Sequence, residues 1–168
     1  MHVRSVEPSD ATKLMLWENN PAHWKVTDTE VPFSLQGILQ LIEQQQHIRS
    51  NGQLRLMICL NETNEAIGAI DLYDVDFKNG NAAVGILIGE ELHRSNGYAF
   101  EALELLIGYA RDLLALHNLH CSIQADNIES IRLFEKCGFT RIGIRKEWFL
   151  YQGQRIDEIC YQLCLEKK

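Results

Sequence analysis

Residues 94–99 read Arg94-Ser95-Asn96-Gly97-Tyr98-Ala99, between an apolar run at 82–89 and a long helical pattern at 99–116. An arginine, a glycine three residues on and a small residue two further mark a strand-to-helix junction suited to an anion. Bare amide N–H groups and the positive end of a helix dipole converge at such a junction. Gly97 lets the backbone come close, because it has no Cβ and tolerates unusual φ. Ala99 keeps the first turn slim, and Arg94 adds a charge-assisted donor. A pyrophosphate fits this chemistry, although an Asn-Gly turn followed by a helix cap uses the same residue types.

Working outward, residues 54–60, 66–77 and 82–89 read as three strands of an antiparallel meander. Asn79-Gly80 sits between the last two as a type I′ hairpin turn. The following helix places Ala99, Ala102, Leu103, Leu106, Ala110, Leu113 and Leu114 at helical spacing, and Leu105 and Ile107 widen that stripe toward burial on more than one side. Residues 119–124 form a short strand. Asp126-Asn127 then caps a helix carrying Ile131, Leu133 and Phe134, with Glu129 placed as the capping-box partner of Asp126 and Gly138 as terminator. Residues 140–151 and 154–165 form a final hairpin about Gln152-Gly153.

At the other end, residues 2–6 alternate as a strand. Pro8-Ser9-Asp10 opens a helix with Leu14, Leu16 and Trp17, and residues 18–32 are loop-like. Ser34 reads as an N-cap, with Phe33 and Ile38 as a hydrophobic staple, for a helix running to about residue 49 and ended by Asn51-Gly52. The predicted fold class is therefore mixed α/β rather than doubly wound: a strand, two helices, three strands, a long helix, a strand, a helix and a hairpin.

The chain has 168 residues, of which 46% are hydrophobic, which suits a single domain over 1–168 with a real core. No apolar stretch is long enough to cross a bilayer, and the first residues lack signal-peptide features, so the expected compartment is the cytoplasm. The net charge of −7 argues against a nucleic-acid binder, which needs a basic face. Cys59, Cys121, Cys137, Cys160 and Cys164 form no CxxC pair and read as reduced thiols. The histidines show no ligand spacing, so no metal is expected. His117 and His120 read as partners of a helix C-terminus.

Four blocks line up: V-G-I-L-I-G at 84–89, R-S-N-G-Y-A-F-E-A-L at 94–103, A-D-N-I-E-S-I-R-L-F-E-K-C-G-F at 125–139 and R-K-E-W-F-L-Y-Q-G-Q-R-I-D at 145–157. Together they resemble the GNAT superfamily of acetyl-CoA-dependent N-acetyltransferases, nearest the branch of spermidine and ribosomal-protein N-terminal acetyltransferases. The resemblance implies a mostly antiparallel twisted sheet of about seven strands, with one splayed parallel pair and helices on both faces. It implies that Arg94, Ser95, Asn96, Gly97, Tyr98 and Ala99 wrap the CoA pyrophosphate. The backbones of Ile86, Leu87 and Ile88 would pair with the pantetheine arm, whose two amides act as a surrogate strand. That strand would splay from its parallel neighbour at 119–124, and free amides in the gap would face the developing oxyanion. Asn127 and Ser130 match cofactor contacts, with helix capping an equal role for Asn127.

Two departures accompany the match. Phe134 stands where many members have a proton-donating tyrosine, so it reads as core or as a wall of the thiol pocket. The glutamate that spermidine enzymes carry near 82–85 is absent. Candidate bases for an attacking amine are Asp71, Asp74 and Asp76, or Glu90 and Glu91, with Asp71 and Glu90 preferred. Trp17, Glu18, Trp24, Asp74, Glu147, Trp148 and Tyr151 are acceptor-side candidates, since aromatic and acidic groups suit an ammonium, while Trp17 also reads as the core anchor of its helix. The expected function is acetyl transfer to a small-molecule primary amine, a polyamine among the options. A protein N-terminus as acceptor and a non-catalytic acyl-CoA sensor are the alternatives. A homodimer or larger homo-oligomer is expected, with residues 3–6 or 159–165 supplying an edge.

Overall fold

The computed structural model describes residues 1–25, 27, 29–45 and 47–166. Its strands are β1 (His2–Ser5), β2 (Leu54–Cys59), β3 (Ala66–Asp76), β4 (Asn81–Ile88), β5 (Asn118–Gln124), β6 (Thr140–Tyr151) and β7 (Gln154–Cys164). Its helices are α1 (Ala11–Glu18), α2 (Leu35–Gln44), α3 (Ile48–Asn51), α4 (Tyr98–Asp112) and α5 (Ile128–Lys136). The strands form one seven-stranded sheet in the order β1-β2-β3-β4-β5-β7-β6. Every neighbouring pair is antiparallel except β4 and β5.

Two apolar layers sandwich the sheet. On one face Leu103, Leu106 and Ala110 of α4 and Phe134 of α5 pack with Ile58, Ile70, Val84, Leu119 and Tyr161. On the other, Leu14 and Trp17 of α1 and Ile38 and Ile42 of α2 cover Met57, Cys59 and Ala69. Alternation along β2 sends Met57 one way and Ile58 the other, which is how one strand serves both cores. Trp17 anchors the second layer: its indole lies flat on Gly89, where a Cβ would sit 2.3 Å from a ring carbon. Its N–H donates to Glu90 Oε1 at 3.1 Å.

Several local expectations need correction. The predicted helix from 34 to about 49 is two pieces, α2 ending at Gln44 and α3 starting at Ile48; Gln46, which it would have crossed, lies outside the described residues. Ser34 does cap α2, accepting from the Gly37 N–H at 3.1 Å. The predicted 99–116 helix stops at Asp112, and Ala115 turns left-handed at φ 53°. Its burial is one-sided, since Leu105 is 48% exposed. His120 therefore lies within β5, away from any helix end.

The β3–β4 turn is not type I′, because Gly80 has positive φ (68°) and Asn79 does not. Instead Asp76 Oδ1 accepts from the Lys78 and Asn79 N–H groups at 2.9 and 3.0 Å, giving a four-residue turn. Asn127, not Asp126, caps α5, accepting from Ser130 N–H at 3.2 Å. Asp126 pairs with Lys25 at 2.6 Å, so the Asp126–Glu129 capping box does not form. Residues 159–165 cannot supply an edge, because β7 lies between β5 and β6; the edges are β1 and β6.

Candidate active site

Strands β4 and β5 pair only at their beginnings, Asn81–Ala83 against Asn118–His120. Beyond that the strands diverge, and residues 84–88 have no strand partner on the β5 side. Peptide groups that lose a ladder partner must find another donor or acceptor. The gap opens into a cavity of about 1150 Å³ that reaches both faces of the sheet, touching Ile86 and Leu87 on one wall and Ile123 and Gln124 on the other.

One mouth of the cavity is the loop before α4. Ser95 (φ 60°) and Gly97 (φ 85°) are both left-handed, and a Cβ at Gly97 would meet nothing within 4 Å. This conformation turns successive N–H groups toward a common point. The first bond of α4 runs from Glu101 N–H to Gly97 O at 3.1 Å, so the amides of Tyr98, Ala99 and Phe100 have no helix partner. Among the described residues no side chain caps this end. Asn96 braces the loop through the Leu92 and Arg94 carbonyls at 3.2 and 3.0 Å.

Arg94 points inward. It donates to Ile88 O at 3.3 Å and to His23 Nε2 at 3.0 Å. A guanidinium has only donors, so Nε2 of His23 accepts; Nδ1, 2.9 Å from Trp17 O, carries the hydrogen. His23 is 2% exposed. It thus fixes Arg94 to the loop that follows α1.

The opposite face carries two rows of side chains. On one flank of the gap, Gly85, Asp71 and Arg55 are in register across β4, β3 and β2. Arg55 donates to both oxygens of Asp71 at 2.7 and 2.8 Å and to Glu18 at 2.8 Å. Burial opposes the Arg55 charge, but the two carboxylates outweigh it and raise its pKa further. On the other flank, Gln124, Glu158 and Arg145 are in register across β5, β7 and β6. Arg145 reaches Glu158 Oε2 at 2.5 Å. Lys25 lies over the Tyr151 ring at 5.6 Å and Arg145 over Trp148 at 5.0 Å. Phe134 closes the inner wall edge-on to Phe139, with centroids 5.0 Å apart. Cys121 also lines the cavity, but burial pushes its thiol up to about 12.

The cavity collects Ile86, Leu87, Ile88, Arg94, Ser95, Gly97, Tyr98, Ala99, Asn127, Ser130, Phe134, Trp24, Trp148 and Tyr151 from among the sequence candidates. Others stand elsewhere. Trp17 is core, and Glu90 is its hydrogen-bond partner. Glu18 and Asp71 are both bound to Arg55, which leaves Asp71 without a free oxygen for a proton. Asp74 is exposed in a β3 bulge beside the closed end of the β4–β5 pair, and Asp76 builds the turn. Glu91 sits 3.9 Å from Arg94. Glu147 is left-handed (φ 52°) in a β6 bulge, its N–H held by Asp157 at 2.8 Å.

Sequence reading missed His23, Gln124 and Glu158, which also line the cavity. A signal existed for Glu158, an acid between Ile156 and Cys160 on one strand face. None existed for His23, whose role depends on an arginine 71 positions away.

Among the described residues, no helix is long and apolar enough to cross a membrane. A family profile described as Acetyltransferase (GNAT) domain matches residues 1–140. An uncharacterized N-acetyltransferase, p20, of Bacillus licheniformis is 26% identical over 96% of this chain and 90% of its own length. Spermidine N(1)-acetyltransferase of Vibrio cholerae is 27% identical over 66% of this chain and 63% of that protein. The crystal structure of spermidine N-acetyltransferase from Vibrio cholerae in complex with CoA and spermine superposes with a TM-score of 0.86. It covers 98% of this chain and 95% of that one at 22% identity, a likeness of fold. A dodecameric structure of the Vibrio cholerae enzyme superposes with a TM-score of 0.82 at 22% identity, covering 98% of this chain and 93% of that one. With its split parallel pair, its glycine-turned helix entry and a family match across most of its length, the chain belongs to the GNAT acetyltransferases.

Proposed function

We propose that the protein transfers the acetyl group of acetyl-CoA to the primary amine of a small molecule. One observation carries the reading: a loop of unpartnered amides and an unpaired strand edge open into the same cavity. The donor set fits the cofactor. The amides of residues 98–100 and the α4 dipole suit its diphosphate, and the bare β4 edge suits its two-amide arm. Asn127, Ser130 and Phe134 form the far wall of that channel. When bound, acetyl-CoA supplies an electrophilic thioester carbonyl.

The chain's own groups do the rest. Unpaired β4 N–H groups are its donors to negative charge on the acetyl oxygen. The cleft holds both partners side by side and so removes much of the entropic cost of their meeting. Phe134 has no proton to give, so the departing sulfur takes its proton from elsewhere in the site. A free alkylamine has a pKa near ~10 and arrives as an ammonium, which must shed a proton before it attacks. The relatives named as spermidine acetyltransferases make polyamines the first acceptors to test. The edge strands β1 and β6, the latter with Ile142, Ile144 and Leu150 exposed, are the places where copies of the chain would join.

Thiol release from acetyl-CoA, assayed with spermidine, kanamycin, glycine and an alanine tetrapeptide, tests the function. Turnover with an amine of this panel is expected. Preference for the tetrapeptide moves the acceptor class to protein N-termini. Acetyl-CoA binding with no turnover on any of them favours a sensor, and no thermal shift with acetyl-CoA defeats every one of these readings.

A further inference from the structure

Gln124 is 9% exposed, and its amide is oriented by one bond, from Nε2 to the Lys25 carbonyl. Its Oε1 is buried and has no hydrogen-bond partner among the described residues. A buried carbonyl oxygen without a donor is costly and uncommon, and each such case calls for a ligand or a function. Gln124 lines the cavity. Leu119, Cys121 and Ile123 point into the α4 core, so Gln124 faces the other way, toward the loop after α1. Carrying the Ala83–His120 pairing four residues on sets Gln124 across the gap from Leu87, where the strands have parted.

Its partner in register on β7 is Glu158, also in the cavity wall and 4% exposed. Arg145 takes one Glu158 oxygen, and the other accepts no hydrogen bond among the described residues. Two acceptors therefore lie side by side on the acceptor face: one neutral, one anionic, each with spare capacity. A primary ammonium has three donors and one positive charge, which is the complement of this pair.

We propose that Gln124 and Glu158 are the seat of the attacking amine, Gln124 Oε1 accepting one N–H while the Glu158 carboxylate pairs with the ammonium and takes its proton. The inference rests on the acetyltransferase reading and names the residues that hold its acceptor. The ammonium N–H bond breaks toward Glu158, leaving a neutral amine and a carboxylic acid. The nitrogen lone pair forms the N–C bond to the acetyl carbon as the C–S bond breaks and its electron pair leaves on sulfur. A second nitrogen proton passes to that sulfur, and Glu158 releases its proton to water. One ammonium and one thioester thus give one amide, one thiol and one proton. The charged and titratable groups at this corner are Arg145 on β6 and Cys160 along β7; Lys25, whose carbonyl holds Gln124, carries its ammonium to Asp126.

The test uses the full chain and whichever panel amine turns over fastest. Gln124→Leu is expected to raise the amine KM about tenfold, with the acetyl-CoA KM within twofold of wild type. Glu158→Gln is expected to cut kcat about 100-fold at pH 7, with activity recovering as pH rises toward the amine's own pKa near ~10. Both variants should bind acetyl-CoA normally by calorimetry, which shows that they fold. A Gln124→Leu protein whose melting point falls while its amine KM is unmoved assigns Gln124 a structural role and overturns the seat. A Glu158→Gln pH profile parallel to wild type overturns the proton transfer. Absence of wild-type turnover across the panel removes the acetyltransferase reading, and the seat falls with it.

Discussion

On one flank of the gap, β4, β3 and β2 carry Gly85, Asp71 and Arg55 in register; on the other, β5, β7 and β6 carry Gln124, Glu158 and Arg145. Both rows end in an arginine–carboxylate pair. The first is closed: Asp71 gives both oxygens to Arg55, and Arg55 spends a further nitrogen on Glu18. The second is open: Arg145 holds one Glu158 oxygen from a side chain that is 51% exposed, and the amide beside it lacks a donor. A two-handed ion pair fixes geometry and engages both carboxylate oxygens, whereas a one-handed pair holds the carboxylate and leaves its second oxygen open. Sequence composition would rank Asp71 and Glu158 alike. Their partners separate an acid bound through both oxygens from one with an oxygen left open.

The largest expected effect breaks the closed flank. Arg55→Met leaves Asp71 and Glu18 without their cation in a mostly buried setting, and the expected loss is about 3 kcal/mol in urea unfolding. Arg145→Met on the open flank should move the midpoint far less and act on turnover instead. Equal stability losses would erase the distinction between the two rows.

A second closed pair, far from the gap, provides a control. Asp10 receives two hydrogen bonds from Arg4, at 2.7 and 2.8 Å, and one from the Glu7 N–H. The Arg4 hydrogen bond, over the opposing effect of burial, holds the Asp10 carboxyl below its ordinary value. A folded-state pKa below the unfolded one stabilises the protein above the usual carboxylate range. That contribution disappears as pH falls through the depressed value. Asp10→Asn should therefore cost about 1 kcal/mol at pH 7, allowing for solvent screening, and progressively less as pH falls below the usual carboxylate range. Melting curves of the two proteins should converge on acidification; parallel curves would show that the pair contributes no linkage.

A smaller effect separates cofactor side from acceptor side. His23→Leu removes the acceptor of the Arg94 hydrogen bond, so the acetyl-CoA KM should rise about fivefold, roughly 1 kcal/mol, while the amine KM stays put. His23→Gln, which keeps an acceptor, should recover part of the loss. A change confined to the amine KM would place His23 on the wrong side of the sheet.

The smallest effect is a lack of reaction. Burial pushes the thiols of Cys121 up to about 12 and Cys137 up to about 11. Brief alkylation of the native protein at pH 7.5 should mark the exposed Cys164 and spare both. Labelling of Cys121 that depletes activity would put a reactive thiol in the gap.

How much of this was legible in the sequence follows the range of the interactions involved. The conformation of the loop at 94–99 is legible because it is set by consecutive backbone groups, and Gly97 at the αL position is a local requirement. The meander and the final hairpin were legible for the same reason. Errors collected where a local preference met a tertiary one. Asn79 was read as a left-handed turn residue, but Asp76 offered its carboxylate to the same amides. Asp126 was read as a cap and was claimed instead by Lys25, 101 positions away. The long-range parts of the cavity wall are least legible, since Arg145, Gln124 and Glu158 come together only through strand register, and His23 reaches Arg94 only through the loop after α1. Trp17 reads from the sequence as core anchor or ammonium ligand; it is core, and its wedge against Gly89 is a contact no spacing reveals.

The proposed chemistry requires the loop at 94–99 to grip a diphosphate while the parted strands β4 and β5 receive the arm attached to it. A crystal structure of the protein grown with CoA tests this most directly. Phosphate density is expected on the amides of residues 97–100, with an extended arm hydrogen-bonded along 85–88. Density for CoA elsewhere on the protein, with β4 and β5 zipped together or their gap filled by side chains, would contradict it.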